Sequence, residues 1–569
     1  MNSSGKFSYL FRKYPLLRVL GIGSIVAIII FSIYFISFQT KLIPEIESIV
    51  PPVGSPGDVI LINGKNFGNN RDMNYVEIAG TRLTASSYIS WTDNCIKLVL
   101  PANVKDGLVY VGIKDMRSNP SLFANEVDIP IPVPSVHQVS RPIITTLSSD
   151  KANIGDVLTI YGSNFGEARN QSRVLFTIDY NRKIRESNVK NISYFTENMI
   201  GANEDEFDYI MWSNTEISVV IPDGAFSGVV VVDTGKQKSD PKEITINQNP
   251  GEKAFVNKKI YLMTYSADVA DVYCDGLSTI TLRAPIPYET PAQPSVETTE
   301  VVPVPSLMKY QHDVIHQITK TRPSTVKNVM NYTFVLPVYE INTKVNADKI
   351  GLYTKMSSRP LFNYTTQADA LIPSNDEAIT ALEKQITGRE KNPYRKAKLI
   401  YDYMLNNYNL LKKMRKGGAD PKDLVSKKRG DAYDYAVIYA ALLRAGGIPC
   451  FMDAGILIGQ DLTTQAHWWN EFYIENFGWV PVDLALASGL EYKAWGDIEA
   501  SPADYYFGNL DSHHVLFSRG LNDLKPFSVD NKIVKQPRSF ALQSIWEEAS
   551  SNVNKYSSYW STPIIRGVY

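Results

Sequence analysis

Cysteine is nearly absent from this chain: Cys95, Cys274 and Cys450 are the only three in 569 residues. Three scattered thiols exclude a disulfide scaffold and a cysteine-based zinc site. Histidine is scarce as well, with six available for metal or acid–base work; no metal site and no cofactor is expected. An excess of either charge is also missing. Lys+Arg is 58 and Asp+Glu is 59, a net charge of −1. Nothing pulls the whole molecule toward nucleic acid, and no nucleic-acid partner is expected. What is present argues for packed cores. Hydrophobic residues make up 44%, with 33 Tyr, 22 Phe and 8 Trp, which excludes wholesale disorder. At about 150 residues per domain, the length suggests roughly four domains.

Long apolar runs are lacking, with one exception. Val19 to Thr40 carries no charged residue. About 20 helical residues cover roughly 30 Å, the thickness of a hydrocarbon core. Lys6, Arg12, Lys13 and Arg18 precede it. The positive-inside rule therefore predicts a cytoplasmic stub over 1–18 and a transmembrane anchor over 19–40. The alternative, a cleaved signal peptide, fits less well. The run is long for a signal core and no A-x-A-like site follows it. The membrane is thus an expected partner through this anchor. The bulk of the chain is expected outside the cytoplasm, periplasmic or at the cell surface.

The sequence repeats itself at a spacing of about a hundred residues. GDVILINGKNFG, from Gly57 to Gly68, matches GDVLTIYGSNFG, from Gly155 to Gly166. Alternating apolar residues and β-branched content predict strands, and the glycines supply turns. Downstream, Trp91 to Pro101 matches Trp212 to Pro222. The second copy carries an insertion around Asn188 to Tyr209. Short alternating strands with regular turns predict β-sandwiches. The G-D…G-x-N-F-G…W…P pattern resembles IPT/TIG immunoglobulin-like domains, over 45–133 and 142–247. The resemblance implies spacer or binding modules, and plain spacers are expected for both.

Residues 256–370 read as a further β-rich domain, from KKIYLMTY, STITLRA, NYTFVLPVYEINTKV and KIGLYTKM. Pro285 to Pro305 is proline-rich and reads as an extended loop on its surface. After residue 373 the pattern changes. Ser374 to Glu377 forms a capping box that opens a helix through about Ile386. Pro393 starts a second helix, with Ala397, Ile400, Tyr401, Met404 and Leu405 as its buried face. Asp431 to Arg444 reads as a buried alanine-rich helix stopped by Gly446 and Gly447. Strand-like segments follow.

These last segments carry ordered motifs. They are Leu442-Leu443-Arg444-Ala445-Gly446-Gly447-Ile448-Pro449, His467-Trp468-Trp469-Asn470-Glu471 and Gly478-Trp479-Val480-Pro481-Val482-Asp483. The set resembles the transglutaminase-like superfamily, whose fold is also that of papain-like cysteine enzymes. The resemblance implies a thiolate at a helix N-terminus, with His467 as base and Asp483 as its orienting acid. At the thiol position this chain has Ala432. A methyl group cannot attack a carbonyl. Cys450 lies past the far end of the helix, about 20 Å away at 1.5 Å per residue. Asp431 and Asp434, beside Ala432, read as first-turn acids complementing the helix dipole. Arg444, Trp468 and Trp469 are candidates to line a binding cleft.

The expected fold class is therefore multidomain. It has a single transmembrane helix, two Ig-like β-sandwiches, a β-rich domain, and an α+β transglutaminase-like (papain-like) domain over 374–569 with a C-terminal extension. The expected function is that of a bacterial cell-envelope pseudoenzyme that binds or scaffolds, with a protein or a cell-wall polymer as partner. The alternative is an active cysteine-type acyltransferase or peptidase, if Ala432 is an introduced change.

Overall fold

Strand alternation and turn glycines build two successive sandwiches of the same topology. The computed structural model describes residues 43–102, 104–114, 116–125, 141–187, 192–310, 312–418, 420–498, 500–521, 524, 526–527, 530–536, 538–542 and 545–569. The expected anchor over 19–40 lies outside them. Among the described residues no helix is long and apolar enough to cross a membrane. In the first sandwich one sheet runs Glu45–Val50, Val59–Lys65, Cys95–Val99, Tyr88–Trp91. In the second the equivalent sheet runs Ile143–Leu147, Val157–Ser163, Glu216–Val220, Tyr209–Trp212.

The shared motif has a physical cause. A Cβ on Gly64 or Gly162 would lie 1.9 Å from the backbone oxygen of Glu45 or Ile143, so only glycine lets those strands close. Asn66 and Asn164 both take the left-handed backbone, φ 63°. Phe67 and Phe165 then plug the two cores. The indole nitrogens of Trp91 and Trp212 donate to the carbonyls of those phenylalanines, at 2.8 and 3.2 Å.

The described residues up to Asn125 form one compact unit and those from Arg141 another. Within the second unit, the middle domain is built on the strand Gly251–Cys274, 24 residues long. It pairs with Asn328–Val345 on one side. On the other it pairs with Val553–Trp560 and Ile564–Val568. In the facing sheet Ser278–Pro285 pairs with Trp546–Ala549. The C-terminal extension thus belongs to this middle domain and not to the transglutaminase-like domain in which the sequence placed it. Two further expectations change here. Lys349 to Met356 is not a strand; short 3-10 turns at Ala347–Lys349 and Met356–Ser358 flank it. The proline-rich stretch is not a plain surface loop. Its Glu297–Val302 is an edge strand, and Gln293 is buried, its side-chain Nε2 donating to the carbonyls of Tyr288 and Leu516.

The last domain packs helices α1 (Glu377–Thr387), α2 (Pro393–Asn407) and α3 (Ala432–Ala445) against a four-stranded sheet. Asp376, rather than Ser374, caps α1. The strands are β1 (Cys450–Ile458), β2 (Thr464–Ile474), β3 (Gly478–Val482) and β4 (His514–Arg519), in spatial order β3-β2-β1-β4.

The insertion in the second sandwich is what fastens it to this sheet, so that sandwich is not a free spacer. Glu206 accepts from the Trp479 indole nitrogen at 2.8 Å and pairs with Arg519. Arg519 also donates from Nε to Glu471 at 2.8 Å. Arg359 donates to Asp208 at 2.8 Å and to the Glu206 carbonyl at 2.9 Å. Lys253 joins Asp223 at 2.5 Å and the Trp479 carbonyl at 2.6 Å. Carboxylates outnumber cations at this junction. Asp453, on β1, is fully buried and neither of its oxygens has a hydrogen-bond partner. Burial first, then Glu471, pushes its carboxyl well above the ordinary range. A folded-state pKa raised in this way favours the fold below the unfolded value of about 3.9, and that advantage is lost as pH rises. Asp453→Asn should therefore stabilise the chain at pH 8, by about 1–3 kcal/mol, and by less at pH 5. Urea unfolding at the two pH values reads the difference; an equal or opposite effect would contradict this account.

Candidate functional site

Helix α3 begins at Ala432 because Asp431 stops and caps it. The Asp431 carboxylate accepts from the Asp434 amide, and the Asp434 carboxylate accepts from the Asp431 amide, both at 3.1 Å. This is a capping box with two aspartates. The two acids do more than offset a dipole, because two arginines hold them. Arg538 Nη1 donates to both Asp431 oxygens at 2.6 and 2.7 Å, and its Nη2 to Asp434 at 2.8 Å. Arg415 donates twice to Asp434, at 2.7 Å each. The Arg538 guanidinium also lies 4.3 Å over the Tyr433 ring. Burial opposes the charge on Asp434, yet Arg415 and Arg538 outweigh it and hold its pKa below the ordinary value. Asp431, Ala432, Asp434 and Arg538 are all nearly closed to solvent.

Strand β2 brings the histidine. Trp468, the residue after His467, stands edge-on to Tyr433, the residue after Ala432, with centroids 5.4 Å apart. Asn470 donates to the Ala436 carbonyl at 3.0 Å. The first turn of α3 thus stands beside the stretch of β2 that carries His467. His467 Nε2 lies 2.5 Å from Asp483 Oδ2, and both side chains have no exposed surface. The other Asp483 oxygen accepts from the Leu486 amide at 2.9 Å. His467 Nδ1 has no hydrogen-bond partner. Opposite His467 on β1 is Gly455, where a Cβ would meet the Val515 carbonyl at 1.9 Å.

The sequence reading missed the residues on the far side of Asp483. His514 Nε2 lies 3.0 Å from Asp483 Oδ2, and its Nδ1 lies 2.8 Å from Asp511 Oδ1. Asp511 also accepts from the Tyr506 hydroxyl at 2.7 Å and from the His513 amide at 2.9 Å. Burial opposes charge on Asp483, but His467 and His514 hold its pKa well below the usual carboxylate range. The usable signal was compositional: three of six histidines, His467, His513 and His514, fall near this motif. Among the described residues, His467, Asp483 and His514 are the grouping whose ligand atoms lie within 4.8 Å of one another, the spacing a metal ion needs.

The three candidate cleft residues are buried and used by the protein itself, which corrects the cleft expectation. Arg444, near the far end of α3, donates to Asp369 at 2.6 Å and to the Gln367 and Cys450 carbonyls at 3.0 and 2.9 Å. Trp468 packs on Tyr433. Trp469 lies in a core with Tyr180, Tyr339 and Leu510. Cys450 is fully buried, and burial pushes its thiol well above the ordinary value.

Comparison with known proteins adds to this geometry. The family model of the transglutaminase-like superfamily matches residues 380–484, a span that holds Ala432, His467 and Asp483. That of the IPT/TIG domain matches residues 44–124. An uncharacterized protein of Haemophilus influenzae is 27% identical over 180 residues, which cover 26% of this chain and 49% of that protein. A cyclomaltodextrin glucanotransferase of Paenibacillus macerans is 31% identical over 90 residues, 16% of this chain and 12% of that enzyme. The chain thus spans half or less of the length of the curated relatives it matches. Among solved structures, a candidate cysteine protease from Cytophaga hutchinsonii is 13% identical with a TM-score of 0.36, covering 56% of this chain and 92% of that one. The periplasmic domain of TgpA from Pseudomonas aeruginosa is 13% identical with a TM-score of 0.24, covering 40% and 86%.

Proposed function

We propose, from the premise that this chain contains a transglutaminase-like superfamily domain and an IPT/TIG domain, that it is a membrane-anchored envelope protein. Its transglutaminase-like domain is catalytically silent and acts in binding or scaffolding. One observation carries the reading: the first residue of α3 is Ala432, where the family places its thiol. The first turn supports it, because the Asp431 and Asp434 carboxylates, held by Arg415 and Arg538, already occupy the anion-binding end of the helix. A buried hydrogen-bonded pair is costly to break, which accounts for the retention of His467 and Asp483.

The purified chain is expected to show no amine incorporation and no amide hydrolysis above background. Robust turnover that survives His467→Ala would overturn both the silent reading and the mapping of the motif. The retained dyad, with Nδ1 of His467 free, favours a second reading: an active cysteine-type acyltransferase or peptidase if Ala432 is an introduced change. The codon for residue 432 in the native gene separates the two. Under either reading Ala432→Cys should place a thiol beside His467, with a pKa below the free value of about 8.5. The pH dependence of its alkylation measures this, and an unshifted thiol would count against the mapping. For the membrane arrangement, protease added to intact spheroplasts should digest the region after Lys41. Complete protection of that region would exclude it.

A further inference from the structure

The hydrogen-bond pattern around Asp483 leaves one protonation assignment that the loss of the nucleophile does not touch. Both nitrogens of His514 face carboxylate oxygens: Nδ1 faces Asp511 at 2.8 Å and Nε2 faces Asp483 at 3.0 Å. Two acceptors require two donors, and only the imidazolium carries N–H on both nitrogens. His467 differs. Its Nε2 faces Asp483 at 2.5 Å, but its Nδ1 meets nothing while fully buried. A buried N–H without an acceptor is costly, so the neutral imidazole, protonated at Nε2, is the form that fits.

We propose that His514 is a permanent imidazolium that shares Asp483 with His467, and that it thereby holds His467 neutral with Nδ1 free as a base. His514 is a positioning residue acting through Asp483. The ring centroids of the two histidines are 5.5 Å apart, so a fixed charge on one disfavours a charge on the other. Among the described residues, the ionisable side chains whose nitrogens reach the Asp483 and Asp511 carboxylates are the three histidines His467, His513 and His514. His513 faces Asp511 at 3.2 Å and Asp497 at 3.1 Å, and Lys259 reaches Asp497 at 3.2 Å. The Tyr506 hydroxyl completes Asp511. Burial opposes the charge on His514, but Asp511 and Asp483 outweigh it and raise its pKa to about 10. A further consequence is chemical. An imidazolium has no lone pair for a metal, so the His467–Asp483–His514 grouping holds protons at neutral pH and not an ion.

The test uses the full chain, labelled with 15N at its six histidines. At pH 7, His514 should show two protonated nitrogens and His467 one protonated and one bare. In His514→Gln the proton affinity of His467 should rise at least ten-fold, because Asp483 is then its own. If that variant does not fold, Asp511→Asn should lower the proton affinity of His514 at least ten-fold. A bare nitrogen on His514 at pH 7 would overturn the assignment. So would an unmoved His467 in a folded His514→Gln protein, or a stoichiometric visible spectrum on adding Co²⁺ at pH 7.

Discussion

A fragment running from residue 374 to 569 should fail to fold, although it contains the whole family match and every residue of the dyad. Its last three strands, Trp546–Ala549, Val553–Trp560 and Ile564–Val568, pair with Gly251–Cys274 and Ser278–Pro285 upstream; within the fragment only Trp546–Ala549 retains a partner, Lys532–Lys535. Without those partners the edges of the strands are open and Ile545, Trp546 and Val553, all buried in the whole chain, face water. A fragment that starts at Pro142 retains every strand pairing of the second unit and should fold. Size-exclusion chromatography and near-ultraviolet circular dichroism distinguish the two. A monomeric 374–569 fragment with a cooperative unfolding transition would refute the shared-domain account.

Arg519→Ala should be among the most damaging single substitutions in the molecule, at about 3–5 kcal/mol. Arg519 is fastened to Glu206 of the sandwich insertion and Glu471 of β2, and it is 7% exposed. Its guanidinium also lies 4.6 Å from the Phe451 ring and 4.8 Å from that of Trp479. Removing it deprives Glu206 and Glu471 of the guanidinium they share in a buried place, beside the buried Asp453 carboxyl. Arg519→Lys should recover part of the loss, because a point charge cannot make the forked contact. Chemical denaturation of the variants gives the values. A loss below about 1 kcal/mol for the alanine variant, the worth of a surface pair, would show that the junction is wetter than its burial implies.

Much of this architecture could be read in the sequence, and the reason is local. The G-x-N-F-G motif announces a close strand approach, a left-handed Asn and a buried Phe within four residues. Helix α3 could be placed from the Asp before it and the two glycines after it. His467 and Asp483 meet because a short β-hairpin joins them. The failures share the opposite property. The strands after residue 545 look like any others, and nothing in their pattern says that their partners lie in the middle domain. The insertion of the second sandwich reads as a loop until Arg359 and Arg519 come to meet it. The helix dipole sufficed to explain Asp431 and Asp434, since Arg415 and Arg538 arrive from distant segments. Lys349 to Met356 alternates like a strand but finds no neighbouring edge.

The closing of the middle domain by its most C-terminal strands also sets a timetable for synthesis. Thr279 and Ser550 bond to each other although they are 271 positions apart. At about 5–20 residues per second, the first strand of that sheet waits roughly 14–54 s for its neighbour to be made. The two sandwiches need nothing that comes later for their own sheets and are free to form as they emerge. The 24-residue strand Gly251–Cys274 has no such freedom. One of its edges stays unpaired through the synthesis of the entire transglutaminase-like domain, and in that interval a holding chaperone has something to grip.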